Sequence, residues 1–191
     1  ALASLGAVGA AALTGCLGGS DELNEKPAYI GVVSKAEYDG VSNDLLTAGL
    51  GKSGLQSATA PTFADPNKPT AAELRRAVIY NKYRGIVDTT ASGGFGTLYG
   101  PNVTSSGQVK SGEGLIAGGE YLAFSDDGTG RQNVTMVVQV PSTFDPKNPC
   151  IVTATSSGST GVFGAISTGE WGLKKGCAVA YTDKGTGSAG H

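Results

Sequence analysis

From residue 120 onward the chain reads as one fixed order of elements, and that order constrains its fold more than any other feature. Residues 120–125 form a short apolar strand, Asp126-Asp127-Gly128 a turn, and residues 133–140 an alternating β-branched strand, so the two make a hairpin. After a polar loop with three prolines (141–149), residues 150–155 are apolar enough for a strand buried in a sheet. The loop Ser156-Ser157-Gly158-Ser159-Thr160-Gly161 follows. Residues 162–175 then read as partly helical, with Trp171 and Leu173 as core candidates and Gly176 as the C-terminal cap. Residues 177–181 are a fourth strand. Hairpin, strand, glycine loop, helix, strand is the opening of a mixed α/β sheet whose last two strands run parallel, joined by a right-handed crossover.

The region before residue 120 is less regular. Glycine accounts for 31 of the 191 residues, which predicts many turns and modest helix content. Thr70 and Glu73 have the spacing of a capping box, so a helix starts there. It continues through Leu74, Ala77, Val78 and Tyr80-Asn81 and stops near Arg84-Gly85. Residues 60–69 hold three prolines and read as an extended loop, 92–119 read as a long surface excursion, and 27–55 carry no assignable pattern. The organisation expected is a leader over 1–16, a linker and Gly-rich region with one helix over 17–119, and the first strands of an α/β domain over 120–191.

The uncharged stretch from Ala1 to Leu13 is too short to cross a bilayer, for which about 20 apolar residues are needed, and fits the apolar part of an export signal. An exported protein, secreted or periplasmic, is therefore expected. Leu13-Thr14-Gly15-Cys16 looks like a bacterial lipobox, making Cys16 a lipidation candidate and a route to membrane anchoring; the alternative is an ordinary signal peptide with Cys16 incidental. Cys150 and Cys177 are left as a pair. In an oxidising compartment they are a disulfide candidate; otherwise they are two buried thiols.

Net charge is −2 with 16% charged residues, which gives no basis for nucleic-acid binding. Gly49-Leu50-Gly51-Lys52-Ser53 lacks the first glycine of a phosphate loop, since Leu46 holds that place, and Gly94-Phe95-Gly96 lacks the third glycine of a dinucleotide fingerprint, since Tyr99 does. Asp126-Asp127-Gly128-Thr129-Gly130 lacks the ligand alternation of a calcium loop, and a single histidine argues against the common zinc sites. No cofactor or metal is expected.

Two segments approach the G-x-S-x-G turn of serine hydrolases: Ser157–Gly161, with Ser157 in place of the first glycine, and Thr186–Gly190, with Thr186 there. Neither is followed by an acid and then a histidine, because His191 is the last residue and reads as a loop histidine. In an α/β-hydrolase the strand after the antiparallel hairpin ends in a loop that supplies an oxyanion-hole amide. Ser157 and Gly158 are the oxyanion-hole candidates on that reading, and the nucleophile, acid and base are expected beyond residue 191.

Several blocks carry a family likeness. Tyr38–Gly51, Glu73-Leu74-Arg75-Arg76 with Tyr80-Asn81, Gly96–Asn102, Asn148–Gly161 and Gly169–Gly185 resemble the D-3-hydroxybutyrate oligomer hydrolases. The resemblance implies an α/β-hydrolase-like sheet and an exported serine esterase whose substrate is a small ester. Such an enzyme cleaves 3-hydroxybutyrate oligomers, the dimer included, to monomers, downstream of a polyhydroxybutyrate depolymerase. It also makes the strands that begin at Cys150 and Cys177 neighbours, within reach of a disulfide. The rival reading is a non-catalytic exported lipoprotein or accessory binding domain.

Overall fold

The computed structural model describes residues 25–129, 131 and 133–186. Cys16, His191 and the segment 187–190 lie outside the described residues.

The architecture is mixed α/β. A five-stranded sheet comprises β1 (Ser34–Tyr38), β2 (Gly118–Ser125), β3 (Val134–Pro141), β4 (Ile151–Thr155) and β5 (Ala178–Thr182), in the order β1-β2-β3-β5-β4. β1, β2, β3 and β5 pair antiparallel in turn, while β4 and β5 are parallel, with Ile151 opposite Ala178 and Thr155 opposite Thr182. The hairpin, the fourth strand and the parallel pair lie within one or two residues of their positions in the sequence reading.

Among the described residues three α-helices accompany the sheet: α1 (Gly51–Gln56), α2 (Ala71–Arg84) and α3 (Ile166–Lys175). In α2 the capping box forms as the sequence requires, with the Thr70 hydroxyl accepting from the Glu73 amide and the Glu73 carboxylate accepting from the Thr70 amide. The buried face matches expectation only in part. Tyr80 of the expected stripe is buried, but its companions are Arg75, Ile79 and Tyr83 rather than Leu74, Ala77 and Val78, and 75, 79 and 83 follow the i, i+4, i+8 spacing of one helical face. An arginine and two tyrosines on the inner face make this helix look polar, which hides its true orientation from a hydrophobicity pattern.

α3 ends at Gly176 in the left-handed conformation expected of its cap. It lies close on the sheet because two positions of its inner face, 169 and 172, are glycine. A methyl group on Gly169 would meet the Tyr181 hydroxyl at 1.8 Å, and one on Gly172 would meet Val179 and Val152 at 2.9 and 3.0 Å. Leu173 is buried, but Trp171 is 53% exposed, so the core assignment for Trp171 is corrected: it sits on the helix face turned away from the sheet.

The segment 92–119 is a surface excursion only in part: residues 106–113 are exposed, but parts of the stretch before them pack inward. Phe95, Asn102 and Val103 are buried, Phe95 stacks edge-on against Tyr83 at 6.3 Å, and Lys174 of α3 donates to the Gly100 carbonyl at 2.6 Å. A single buried carboxylate organises the previously unassigned stretch before α1. Asp44 accepts from the amides of Leu46, Thr47, Gly49 and Ile116 (3.1, 3.1, 2.8 and 3.2 Å) and from the Thr47 hydroxyl (2.6 Å), which closes the loop and pins it to β2's approach.

Cys150 and Cys177, the residues just before β4 and β5, are joined by a disulfide with Cα atoms 4.8 Å apart. With a sequence separation of 27, chain-entropy reasoning puts its contribution at about 3.5 kcal/mol. The double variant Cys150→Ser/Cys177→Ser is expected to lower the unfolding free energy by that order in a urea titration. Non-reducing peptide mapping of the unaltered protein should recover the two cysteines in one cross-linked peptide pair; two freely alkylated thiols would contradict the bridge.

Candidate active-site loop

The loop 156–161 leaves the sheet where β4 and β5 end together, and the sheet itself holds its start. The Ser156 amide donates to the Thr182 carbonyl at 2.9 Å, continuing the β4–β5 ladder by one step. The Ser156 and Thr160 hydroxyls are 3.0 Å apart, and Thr160 also donates to the Ser157 carbonyl at 2.6 Å, so the loop folds back on itself. Thr186 donates to the Gly158 carbonyl at 3.1 Å from the segment after β5. Gly158 (φ +56°) and Gly161 (φ +82°) both take left-handed backbone, which a side chain resists.

Ser156 is buried, whereas Ser157, Gly158 and Ser159 are exposed. Among the described residues, no acceptor is hydrogen-bonded to the amides of Ser157, Gly158 and Ser159. The loop thus offers backbone donors at the carboxyl end of a parallel strand pair. Next comes a buried turn, Val162–Ala165, where a methyl group on Gly164 would lie 1.9 Å from the Thr160 hydroxyl and 2.7 Å from that of Ser156. Only glycine lets this turn pack under the loop.

Beneath the turn lies a buried polar cluster that sequence reasoning missed. Arg75 of α2 makes a two-pronged ion pair with Glu120 of β2 (Nε–Oε1 2.9 Å, Nη2–Oε2 2.7 Å) and donates to the carbonyls of Asp44 and Leu45 (3.2 and 3.0 Å). Gln139 of β3 donates to Glu120 and to the Leu45 carbonyl, both at 2.7 Å. The guanidinium also lies over the rings of Tyr38 (4.3 Å) and Phe163 (5.8 Å), and Phe163 meets Tyr181 edge-on at 6.1 Å. Burial by itself would lower the Arg75 pKa, but Glu120 above all, together with Tyr38 and Asp44, raises it. The only sequence signal for this cluster was the position of Arg75 one turn from Ile79.

Burial, more than the neighbouring Glu120, pushes the Tyr38 phenol up to about 12, with Arg75 acting the other way. Burial also raises the pKa of Tyr83, which donates to Glu170 at 2.6 Å, and of Tyr181, whose hydroxyl has no partner among the described residues. Glu170 is also paired with Lys174. A cavity of about 420 Å3 opens beside the cluster between β1 and α2, with Tyr38, Ala72, Leu122, Val137 and Phe163 among its mostly apolar walls. Among the described residues no group of three or more His, Cys, Asp or Glu is placed to hold a metal, and no helix is long and apolar enough to cross a membrane.

Comparison with known proteins places these features in a family. The model of the 3HB-oligomer hydrolase (3HBOH) family matches residues 10–191. The D-(-)-3-hydroxybutyrate oligomer hydrolase of Cupriavidus pinatubonensis is 65% identical over 191 residues, covering 97% of this chain and 27% of that protein. Proteins of the same name from Albidiferax ferrireducens and Ralstonia pickettii are 65% and 61% identical, covering 98% and 100% of this chain and 27% of each relative. No solved structure matches. The chain belongs to the 3HB-oligomer hydrolase family, and it spans about a quarter of the length of these relatives.

Glu120→Ala would leave the Arg75 guanidinium buried without its carboxylate, and the expected cost is about 3–5 kcal/mol, read as a lower urea midpoint. The double variant Arg75→Met/Glu120→Leu should recover most of that loss, because no orphaned charge remains. The tyrosines predict the alkaline limb. The folded pKa of Tyr38, about 12, exceeds its ordinary 10.0, so its contribution is complete below pH 10 and is lost as the pH rises through 12. Unfolding midpoints measured from pH 9.5 to 12 should fall less steeply for Tyr38→Phe than for the unaltered protein.

Proposed function

We propose that this chain forms part of a serine carboxylesterase that hydrolyses D-3-hydroxybutyrate oligomers, dimers included, to monomers. The observation that carries the reading is the identity of about 65% to relatives named for that activity, extending over nearly the whole chain.

The geometry supports an α/β-hydrolase-like mechanism. The strand order β1-β2-β3-β5-β4 places an antiparallel hairpin beside a parallel pair, and the loop after β4 emerges at the carboxyl edge of that pair. In hydrolases of this kind the corresponding loop donates a backbone N–H to the oxyanion of the tetrahedral intermediate. Ser157 and Gly158 are the residues proposed for that role. Their amides would stabilise negative charge on the former ester carbonyl oxygen while a serine, supplied from outside the described residues, attacks the carbonyl carbon. Export is proposed on the apolar leader, with lipidation at Cys16 as the means of membrane attachment.

The test uses the full-length polypeptide and purified 3-hydroxybutyrate dimer and trimer, with release of monomer as the readout. Hydrolysis of both is expected. Gly158→Pro, which removes one donor and disturbs a left-handed position, should lower kcat by about 100-fold or more if the loop donates to the oxyanion. A full-length protein inert on both esters would refute the assignment, and an unchanged kcat in the variant would refute the oxyanion role alone.

A further inference from the structure

We propose that Ser156 and Thr160 are positioning residues, forming a hydroxyl relay that fixes and polarises the backbone N–H of Gly158. The inference rests on the oxyanion role proposed above for Ser157 and Gly158, and it names the side chains that make that N–H a directed donor.

The direction of the relay follows from counting hydrogens. A hydroxyl has one hydrogen to donate and lone pairs with which to accept. Thr160 donates to the Ser157 carbonyl at 2.6 Å, which commits its hydrogen. The Ser156 and Thr160 hydroxyl oxygens are 3.0 Å apart, so the hydrogen between them belongs to Ser156. The other acceptor near the Ser156 hydroxyl, the Ser157 carbonyl, is at 3.5 Å, too far to compete well. The chain of bonds runs from Ser156 to Thr160 to the Ser157 carbonyl.

The peptide group carries the effect onward. The Ser157 carbonyl and the Gly158 N–H belong to one planar trans unit and point in opposite directions. A donor seated on that carbonyl oxygen therefore turns the Gly158 N–H away from Thr160 and holds it there. Hydrogen bonds in series polarise one another, so the same donor makes the N–H a stronger one. Gly158 needs such a restraint. It is exposed, it sits at φ +56°, and glycine has the widest choice of backbone angles. Its second peptide group is held too, since the Thr186 hydroxyl donates to the Gly158 carbonyl at 3.1 Å.

The relay is anchored in the fold. Ser156 is 2% exposed, and its own amide donates to the Thr182 carbonyl at the end of β5, so the first hydroxyl is tied to the sheet. Gly164 gives both hydroxyls their room. A methyl group there would lie 1.9 Å from the Thr160 hydroxyl oxygen and 2.7 Å from that of Ser156. The glycine that lets the turn pack under the loop is thus also the residue that lets the two hydroxyls meet.

Steady-state kinetics of the full-length polypeptide on 3-hydroxybutyrate dimer test the relay. Thr160→Val keeps the side-chain shape and removes the hydroxyl. It should lower kcat by about 10-fold with KM unchanged, because the N–H acts on charge that develops only in the transition state. Thr160→Ser keeps the hydroxyl and should restore most of the loss. Ser156→Ala should lower kcat several-fold by itself and no further in the Thr160→Val background, where the relay is already broken. Should Thr160→Val fail to fold, the kcat of Ser156→Ala decides alone. An unchanged kcat in these variants, beside a loss in Gly158→Pro, would overturn the relay and leave the oxyanion role standing. A loss that serine at 160 does not restore, or effects at 156 and 160 that multiply, would overturn it by showing that the side chains serve packing alone. A full-length protein inert on the dimer would overturn the relay together with the ester-hydrolase reading.

Discussion

The two-pronged contact between Arg75 and Glu120 is the interaction on which the rest of the arrangement hangs. It ties α2 to β2, reaches the carbonyls of Asp44 and Leu45 in the preceding loop, and shares Glu120 with Gln139 of β3. Its guanidinium also faces Phe163, the residue that packs beneath the glycine-rich loop. A buried ion pair is costly to desolvate, and its net contribution against an apolar substitute is small. What it imposes is geometry. The planar fork of Arg75 meets its acceptors in one arrangement only, so the angle of α2 on the sheet and the depth of the turn after the loop are set together.

The same logic operates on a smaller scale at Asp44. Its carboxylate collects amides from four residues, one of them Ile116, far along the chain. An irregular stretch thereby becomes a fixed wall that supplies the Asp44 and Leu45 carbonyls to Arg75. Polar satisfaction works there together with hydrophobic burial, since Leu45, Leu46 and Ala48 belong to the buried core. On the α3 side the means are steric: glycines at 164, 169 and 172 let the loop, the turn and the helix approach the sheet more closely than any side chain would permit. The loop 156–161 lies where these two constraints meet, and its exposed amides are held by a rigid base.

Family membership and local geometry bear on function in different ways. The relatives give the chemistry its name, and they are nearly four times the length of the matched stretch. The structure contributes what the names do not: a strand-end loop with open backbone donors at the carboxyl end of β4, and a mostly apolar cavity between β1 and α2. Together these describe a scaffold that positions groups for a reaction.

The sequence by itself determined the elements whose signals are local. The Thr70–Glu73 capping box, the Gly176 cap, the 120–140 hairpin and the apolar runs before Thr155 and Thr182 depend on neighbours a few residues apart, and each appears within a residue or two of its expected place. The strand β1 was invisible because an edge strand needs no apolar alternation; Lys35 and Glu37 suit it to solvent, and only its pairing with β2 makes it a strand. The buried face of α2 was read only in part, Tyr80 but not Arg75, Ile79 or Tyr83, because the burial of Arg75 and Tyr83 depends on partners at Glu120 and Glu170 that are remote in sequence. Trp171 was misplaced because hydrophobicity does not say which side of a helix meets the sheet; the glycines at 169 and 172 settle that, by letting their own face come closest. Local hydrogen bonding and periodicity are written in adjacent residues. The pairing of distant polar groups, and the choice of which face to bury, exist only once the chain has folded.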